Sequence, residues 1–238
     1  MLHDDSVCGG GRPSLLFSLL FCLALTVMGT THANESTASL AALFLAAAAK
    51  DDSVAVQKML AQGIDIETRD ANGRSALLLA THHNAIEVAR VLIDAGANVN
   101  AMDNITDSPY LYAGAEGRLE ILRMTLAHGA DLSSVNRYGG TALIPAAHHG
   151  HVETVRELLK TEIDIDYINY LGWTALLEAI ILGDGGPTYI EIVRLLIEAG
   201  ADTNISDKNN ITPLAHATTR NYSEIANLLR TASEKKQD

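Results

Sequence analysis

An internal repeat determines more about the fold of this chain than any other property of its sequence. A serine or threonine followed by two mostly apolar residues recurs at Ser75, Ser108, Thr141, Thr174 and Thr212. The first four of these residues lie 33 positions apart, and the fifth follows after 38. Such a period is typical of solenoid proteins, in which each repeat is one small unit that buries its apolar face against its neighbours.

Each repeat contains two segments of helical character. Five positions after the serine or threonine there is always an alanine, at Ala80, Ala113, Ala146, Ala179 and Ala217. A second segment begins with glutamate, most clearly at residues 87–93, 153–159 and 191–197. The chain is 47% hydrophobic but only 5% aromatic, so its apolar residues are mostly aliphatic and favour helices. The serine or threonine predicts a helix N-cap, and the glycine that closes most repeats predicts a left-handed helix stop.

These residues resemble the ankyrin repeat, whose pattern is T-P-L-x-x-A, then G-H-x-E, then L-L-x-x-G-A-D-x-N. The resemblance covers residues 38–232 and implies an all-α fold, an ankyrin-repeat solenoid of helix-turn-helix units with β-hairpin-like projections. The two terminal repeats depart from the pattern, as expected where one face meets water instead of a neighbour. We divide the chain into a signal peptide at 1–33, an N-terminal capping repeat at 34–70, four internal repeats at 71–103, 104–136, 137–169 and 170–207, and a C-terminal capping repeat with a charged tail at 208–238.

Three internal departures from the pattern carry structural expectations. Glu162 stands in the fourth repeat where other repeats have the closing glycine, and we expect it to be strained in a left-handed conformation. Thr106 replaces the glycine of the third hairpin, so we expect that projection to be less tightly turned. The fifth repeat holds five extra residues within the segment Gly183–Tyr189, which we expect to form a loop at one edge of the solenoid.

The first 33 residues are predicted to be a secretory signal and not part of the fold. An uncharged apolar run at residues 14–28 follows Arg12, and the small residues Thr31 and Ala33 precede the expected cleavage site. The run is shorter than the about 20 residues of a membrane span. Because Cys8 and Cys22 lie in this segment, the mature chain would have no cysteine. We expect a periplasmic or secreted protein; the alternative is an N-terminal membrane anchor.

Charge and motifs exclude several functional classes. The formal net charge is −12, which disfavours nucleic acid and acidic lipid surfaces, because both require clustered basic residues. We therefore expect no nucleic acid and, after signal cleavage, no membrane as a partner. The sequence lacks a Gly-x-Ser-x-Gly elbow and a phosphate-binding glycine loop, so we expect no enzyme, no catalytic residue and no cofactor.

The histidines suggest a metal site, but their positions in the repeat argue against one. His82 and His83 occupy the same repeat positions as His148 and His149, two repeats away. Helices of adjacent repeats pack about 8–10 Å apart, so the two pairs would lie about 16–20 Å apart. Zinc holds nitrogen ligands at about 2.0–2.1 Å, so the pairs cannot share one ion. We expect no metal. His151 belongs to the Gly-His pair of the repeat pattern and is expected to pack at the start of the second helix.

The resemblance implies that a protein partner docks on the hairpin tips and on the exposed face of the first helix of each repeat. Aromatic residues and arginine dominate binding hot spots, so the aromatic tips form the best candidate patch. The predicted protein-binding residues of the tips are Arg137, Tyr138, Tyr170, Leu171 and Trp173. Those of the first helices, two and three positions after the shared alanine, are His82, His83, Glu116, His148, His149, Leu182 and Arg220.

Together these observations predict a non-catalytic protein–protein interaction module in the cell envelope, acting as an accessory or scaffold factor for another protein. The first alternative is a secreted ankyrin effector that acts on host proteins. The second is a histidine-dependent metal-binding protein or enzyme.

Overall fold

Twelve helices in six consecutive pairs make up residues 39–235, the part of the chain that this computed structural model describes. The chain divides after Leu40 into two units, and the repeats lie in the second. The signal-peptide prediction falls outside the described residues. The helices are α1 (39–49), α2 (Ser53–Ala61), α3 (Ala76–His82), α4 (Ile86–Asp94), α5 (Pro109–Ala115), α6 (Leu119–Ala127), α7 (Leu143–His148), α8 (Val152–Leu158), α9 (Ala175–Ile181), α10 (Pro187–Glu198), α11 (Pro213–Thr219) and α12 (Ser223–Lys235).

The pairs stack in chain order. The first helices α3, α5, α7, α9 and α11 pack each on the next, and the second helices α2, α4, α6, α8, α10 and α12 do the same. The five shared alanines are fully buried, which lets the first helices approach closely. The residues between repeats contain one isolated antiparallel bridge, Arg69 to Ser75, and no regular strand within the described range. The all-α solenoid with hairpin-like projections is therefore confirmed.

The predicted N-caps are present at four of the five serine or threonine positions. The side chains of Ser75, Ser108, Thr174 and Thr212 each accept a hydrogen bond from the backbone N–H three residues on. At these four positions the cap carbonyl also accepts the N–H four residues on. These bonds satisfy groups that a helix start otherwise leaves unpaired.

The cap predicted at Thr141 is wrong, and Pro145 explains why. Pro145 lies four residues on and has no N–H to give to the Thr141 carbonyl. That carbonyl accepts the Ile144 N–H instead, at 3.2 Å, so this N–H is not available to the hydroxyl. The Thr141 hydroxyl is buried without a hydrogen-bond partner, and α7 begins only at Leu143.

The closing glycines adopt the left-handed conformation as predicted, with φ of 84° at Gly63, 92° at Gly96, 81° at Gly129 and 102° at Gly200. The same expectation for Glu162 is wrong, since it is not among the described non-glycine residues with positive φ.

A threonine side chain closes the fourth repeat instead. The Thr161 hydroxyl donates to the Leu158 carbonyl at 2.6 Å and accepts the Ile163 N–H at 3.3 Å. In the second repeat the corresponding backbone N–H, that of Ala97, bonds directly to the Leu92 carbonyl. The side chain thus replaces the backbone turn that needs glycine.

Every hairpin is organised by an aspartate or asparagine that precedes its tip. Each of these side chains accepts the backbone N–H groups two and four residues on; the residues are Asp70, Asp103, Asn136, Asn169 and Asp207. The third hairpin is turned like the others, contrary to expectation. Thr106 takes φ of 65°, and its N–H bonds to the Asp103 carbonyl as Gly73 N–H does to Asp70. The β-branched threonine is strained there.

The prediction that the insertion in the fifth repeat forms a loop is only partly right. Pro187 to Tyr189 form the first turn of α10, which has 12 residues where α4 and α6 have nine. The Tyr189 hydroxyl donates to the His148 carbonyl of the preceding repeat at 2.8 Å. The Tyr222 hydroxyl of the following repeat donates to the Gly183 carbonyl at 2.9 Å. The inserted segment is therefore bonded to both neighbours.

Candidate binding cleft

A cleft of about 340 Å³ lies between the hairpin tips and the first helices of the third to fifth repeats. We call it the tip–helix cleft. The fourth and fifth hairpins form one wall, and the ends of α5, α7 and α9 form the other. Its lining residues are Asp107, Tyr112, Ala115, Glu116, Asn136, Arg137, Tyr138, Gly140, Ile144, Pro145, His148, His149, Asn169, Leu171, Glu178 and Leu182.

Backbone hydrogen bonds fix the hairpin wall. The Tyr170 N–H donates to the Tyr138 carbonyl at 3.1 Å and joins the fourth tip to the fifth. The Tyr170 ring lies against Gly139, too close for any side chain at that position. On the helix side, the bond from Tyr189 to the His148 carbonyl holds the end of α7. The cleft is thus built on ordered elements.

Seven of the twelve predicted binding residues line the cleft. They combine aromatic, aliphatic, acidic and basic chemistry: Glu116, Arg137, Tyr138, His148, His149, Leu171 and Leu182. Tyr138, Leu171 and Leu182 keep 57%, 49% and 42% of their surface exposed, so a partner can reach all three. The repeat-based mapping therefore brings residues from three repeats to one place.

The other five predicted residues lie outside the cleft. Tyr170 is exposed but packs on Gly139, and Trp173 is half-buried at the base of the hairpin, where its carbonyl accepts the Asn169 N–H. His83 is exposed at the end of α3. Arg220 is half-buried and bonds to the His216 ring at 3.1 Å and the Ile181 carbonyl at 3.4 Å.

His82 supports the cleft from behind. Its ring stacks on Tyr112 with centroids 3.8 Å apart and planes 9° from parallel. Burial lowers the pKa of His82, and the charges of Arg74 and His83 lower it further. The carboxylates of Asp103 and Glu116 oppose this shift. A neutral His82 therefore packs as an aromatic ring behind a wall residue.

The charged pair at one end of the cleft is Arg137 with Asp107. Arg137 Nη1 lies 3.0 Å from Asp107 Oδ2, and the guanidinium carbon lies 5.1 Å from the centroid of the Tyr138 ring. Burial raises the pKa of Asp107, and Arg137 opposes that rise. Because the arginine is occupied by this pair and this ring, it does not neutralise other carboxylates of the cleft.

Sequence reasoning missed Glu178, the most perturbed acid of the cleft. Its side chain is buried on α9, and Asn169 Nδ2 donates to its Oε1 at 2.7 Å. Burial raises the pKa of Glu178 to about 7, although Asn169 and the charge of His149 oppose the rise.

His148 does not balance the Glu178 charge. Its Nδ1 lies 3.7 Å from Glu178 Oε2, and burial together with the charge of His149 lowers the pKa of His148. The corresponding positions in other repeats are Leu79, Tyr112, Pro145 and His216, so an acidic residue in that register was the available signal.

Two histidines of the fourth repeat, His149 and His151, contact the preceding repeat. The His151 ring lies against Gly117 of the preceding repeat, as its place in the repeat pattern indicates. His149 Nδ1 lies 2.7 Å from the Ala115 carbonyl oxygen. Within residues 39–235 no group of three or more His, Cys, Asp or Glu side chains is arranged to hold a metal ion. In the same range, no helix has both the length and the hydropathy needed to cross a bilayer.

The comparisons with known proteins agree with the repeat pattern. The family model for ankyrin repeats, which contains three copies, matches residues 11–103, 43–136 and 110–207. The chain is 42% identical over 195 residues to the ankyrin repeat protein YahD of Escherichia coli (strain K12), covering 82% of this chain and 97% of YahD.

Solved structures show the same architecture. The crystal structure of an ankyrin repeat domain from Acinetobacter baumannii AYE has a TM-score of 0.78 at 59% identity, covering 80% of this chain and 97% of that one. The ankyrin repeat domain of Bcl-3, a member of the IkappaB protein family, has a TM-score of 0.71 at 25% identity, covering 79% and 85%. Ankyrin repeats are a non-catalytic fold that mediates binding between proteins. The chain described here belongs to the ankyrin repeat family.

Proposed function

We propose that this chain binds an exposed segment of another protein in the tip–helix cleft, without catalysing a reaction. The observation that carries the proposal is the presence of Tyr138, Leu171 and Leu182, all substantially exposed, around one cleft that also contains charged groups. Recognition sites commonly combine apolar walls with a few polar groups that fix orientation.

The size of the cleft favours a side chain or short segment as the inserted group. A volume of about 340 Å³ lies at the lower end of the range of about 300–1,000 Å³ for ligand sites. The surrounding tips, with Tyr170 and Ile105 exposed at 67% and 51%, extend the surface that a partner can cover. A folded partner with a protruding segment fits both features.

We further propose that the protein acts outside the cytoplasm, as an accessory factor for another envelope protein. The support is the apolar run at residues 14–28, followed by small residues at a cleavage-type position. Removal of residues 1–33 would also remove Cys8 and Cys22, leaving a chain that cannot form disulfides in an oxidising compartment.

Site-specific photo-crosslinking in the native cell tests the proposal. A photoreactive phenylalanine analogue replaces Tyr138 in the cleft or, as a matched control, Val54, which is 74% exposed on α2. We expect the cleft probe to form adducts with one partner and the control probe to form none. Mass spectrometry of the adduct identifies the crosslinked segment, and the N-terminal peptide of this chain reports whether cleavage follows Ala33.

Two outcomes would contradict the proposal. Adducts at Val54 but not at Tyr138 would move the interface to the second helices. An intact Met1 in the protein isolated from cells would refute signal cleavage but leave the binding proposal unaffected. The two parts are therefore judged separately.

A further inference from the structure

The Glu178 carboxylate lacks a charge partner that matches its burial. Its surface is 6% exposed, and its one short hydrogen bond comes from the neutral amide of Asn169. Among the described residues, His148 provides the one side chain within salt-bridge distance, at 3.7 Å, and burial disfavours the charged form of that histidine. A buried charge is costly unless it is paired.

The next repeat shows what a paired version of this arrangement looks like. Asp207 and His216 occupy the positions of Asn169 and Glu178, nine residues apart in both repeats. His216 Nε2 lies 2.9 Å from Asp207 Oδ2, so there the carboxylate faces an imidazole. Backbone hydrogen bonds and His216 together lower the pKa of Asp207. In the cleft, the corresponding carboxylate, that of Glu178, faces the Asn169 amide, and no arginine or lysine of residues 39–235 pairs with it.

The cleft as a whole also has more carboxylates than basic side chains paired with them. Asp107 is paired with Arg137 at 3.0 Å. Glu116, half-buried at the end of α5, forms no salt bridge within the described range. Among the described residues, neither Glu116 nor Glu178 is therefore paired with an arginine or a lysine. Tyr112 and Tyr138 line the same space, and aromatic faces attract cations.

We propose that the tip–helix cleft is a pocket for the cationic side chain of an arginine or lysine in the partner segment, with Glu178 as its counter-ion. This inference rests on the proposed function, since it specifies the chemistry of the inserted group. Glu116 stands at the wall as a second acceptor, and Tyr112 supplies an aromatic surface. The net charge of −12 adds a long-range attraction for a basic partner.

Binding of a cation must then depend on the ionisation of Glu178. The titratable groups that act on Glu178 from α7 are His148 and His149. From the other elements packed on α9, Arg220 at the end of α11 donates to the Ile181 carbonyl, and the Tyr189 ring of α10 lies against Gly183, just after α9. Burial raises the pKa of Glu178 to about 7, so the carboxylate is mostly protonated at pH 6 and mostly ionised at pH 8. We expect the affinity for a cation to rise about tenfold between these pH values.

An NMR titration of the 15N-labelled protein tests this inference. The protein is used as it is isolated from cells, with or without residues 1–33. The probe is N-acetyl-arginine amide, and N-acetyl-citrulline amide is its uncharged counterpart of nearly the same shape. We expect the arginine probe alone to shift the amide signals of Gly140, Glu178 and Leu182. Glu178→Gln, which keeps an acceptor for Asn169, should weaken binding at least tenfold. Glu198→Gln on α10, which removes an exposed charge, is the matched control and should change nothing.

The inference fails if citrulline binds as well as arginine, if Glu178→Gln retains the wild-type affinity, or if affinity falls from pH 6 to pH 8. The pH series uses the unaltered chain, so it is informative even if a variant folds poorly. Cleft crosslinks without arginine binding would overturn the cationic pocket and leave the proposed function standing. Absence of cleft crosslinks would overturn the proposed function itself.

Discussion

Replacing Glu178 with glutamine should stabilise the fold at alkaline pH and have little effect at acidic pH. The side chain is 6% exposed, and burial raises the pKa of Glu178 from 4.5 to about 7. Glutamine has nearly the same shape, can accept the hydrogen bond from Asn169, and never ionises. The variant therefore removes the charge and keeps the packing.

The magnitude follows from proton linkage. A carboxyl with a higher pKa in the folded state binds its proton more tightly there than in the unfolded chain. Its contribution to stability is fully present below pH 4.5 and is lost as the pH rises through about 7. At about 1.36 kcal/mol per pH unit, the loss is of the order of 3 kcal/mol at pH 8. Glu178→Gln should recover that amount at pH 8 and almost none at pH 4.5.

Urea unfolding followed by circular dichroism at pH 4.5, 6, 7 and 8 measures this difference. The difference in unfolding free energy between wild type and Glu178→Gln reports the carboxyl together with its coupling to His148 and His149, since the other titrating groups are common to both chains. Glu198→Gln, at an exposed position on α10, should give a difference near zero at every pH. A constant difference for Glu178→Gln across the series would refute the reasoning, because it would mean that burial does not perturb this acid.

Four further substitutions test the local structure and the cleft. Thr106→Gly should raise the melting temperature, because it relieves about 1 kcal/mol of left-handed strain at φ of 65°. Glu162→Gly should lower the melting temperature, because residue 162 is not left-handed and glycine there destabilises the fold by about 0.5–1 kcal/mol through added chain entropy; a higher melting temperature would indicate a glycine-type turn after all. Pro145→Ala should stabilise by about 1 kcal/mol by freeing the Thr141 cap, and an unchanged thermal melt would reject that account. Tyr138→Ala should weaken partner binding without changing the circular dichroism spectrum, whereas loss of helix would make this residue structural.

The parts of the fold that sequence could predict are those fixed by local chemistry at a regular interval. Ser75 caps its helix because the acceptor and the free N–H are three residues apart in any chain of that pattern. Thr141 fails to do so because of Pro145, a residue visible in the sequence but outside the motif that was compared. The left-handed conformation predicted for Glu162 is wrong for a similar reason, since the neighbouring Thr161 side chain closes the repeat in place of a glycine turn.

The cleft was predictable in its location but not in its chemistry. The repeat pattern predicts that Tyr138 and His149 lie on the surfaces where a partner is expected, and both line the cleft. It cannot show that Asn169 reaches Glu178, because that contact depends on how the hairpin lies against α9. Burial of a carboxylate is a tertiary property. The local clue was the acid itself, at a position that is leucine, tyrosine, proline or histidine in the other repeats.

The cost of Glu178 and its proposed role are two aspects of one linkage. In a solenoid each repeat contacts only its neighbours, so an unpaired buried acid destabilises one region and leaves the rest of the array unaffected. A cation that enters the cleft stabilises the ionised acid and lowers its pKa, so it relieves the destabilisation that the empty site carries above pH 7. Leucine, which stands at the matching position of the second repeat, Leu79, would avoid the cost but offer the cation nothing. Between pH 4.5 and about 7, stability should therefore fall with rising pH while the affinity for a cation rises, and both should level off above about pH 7.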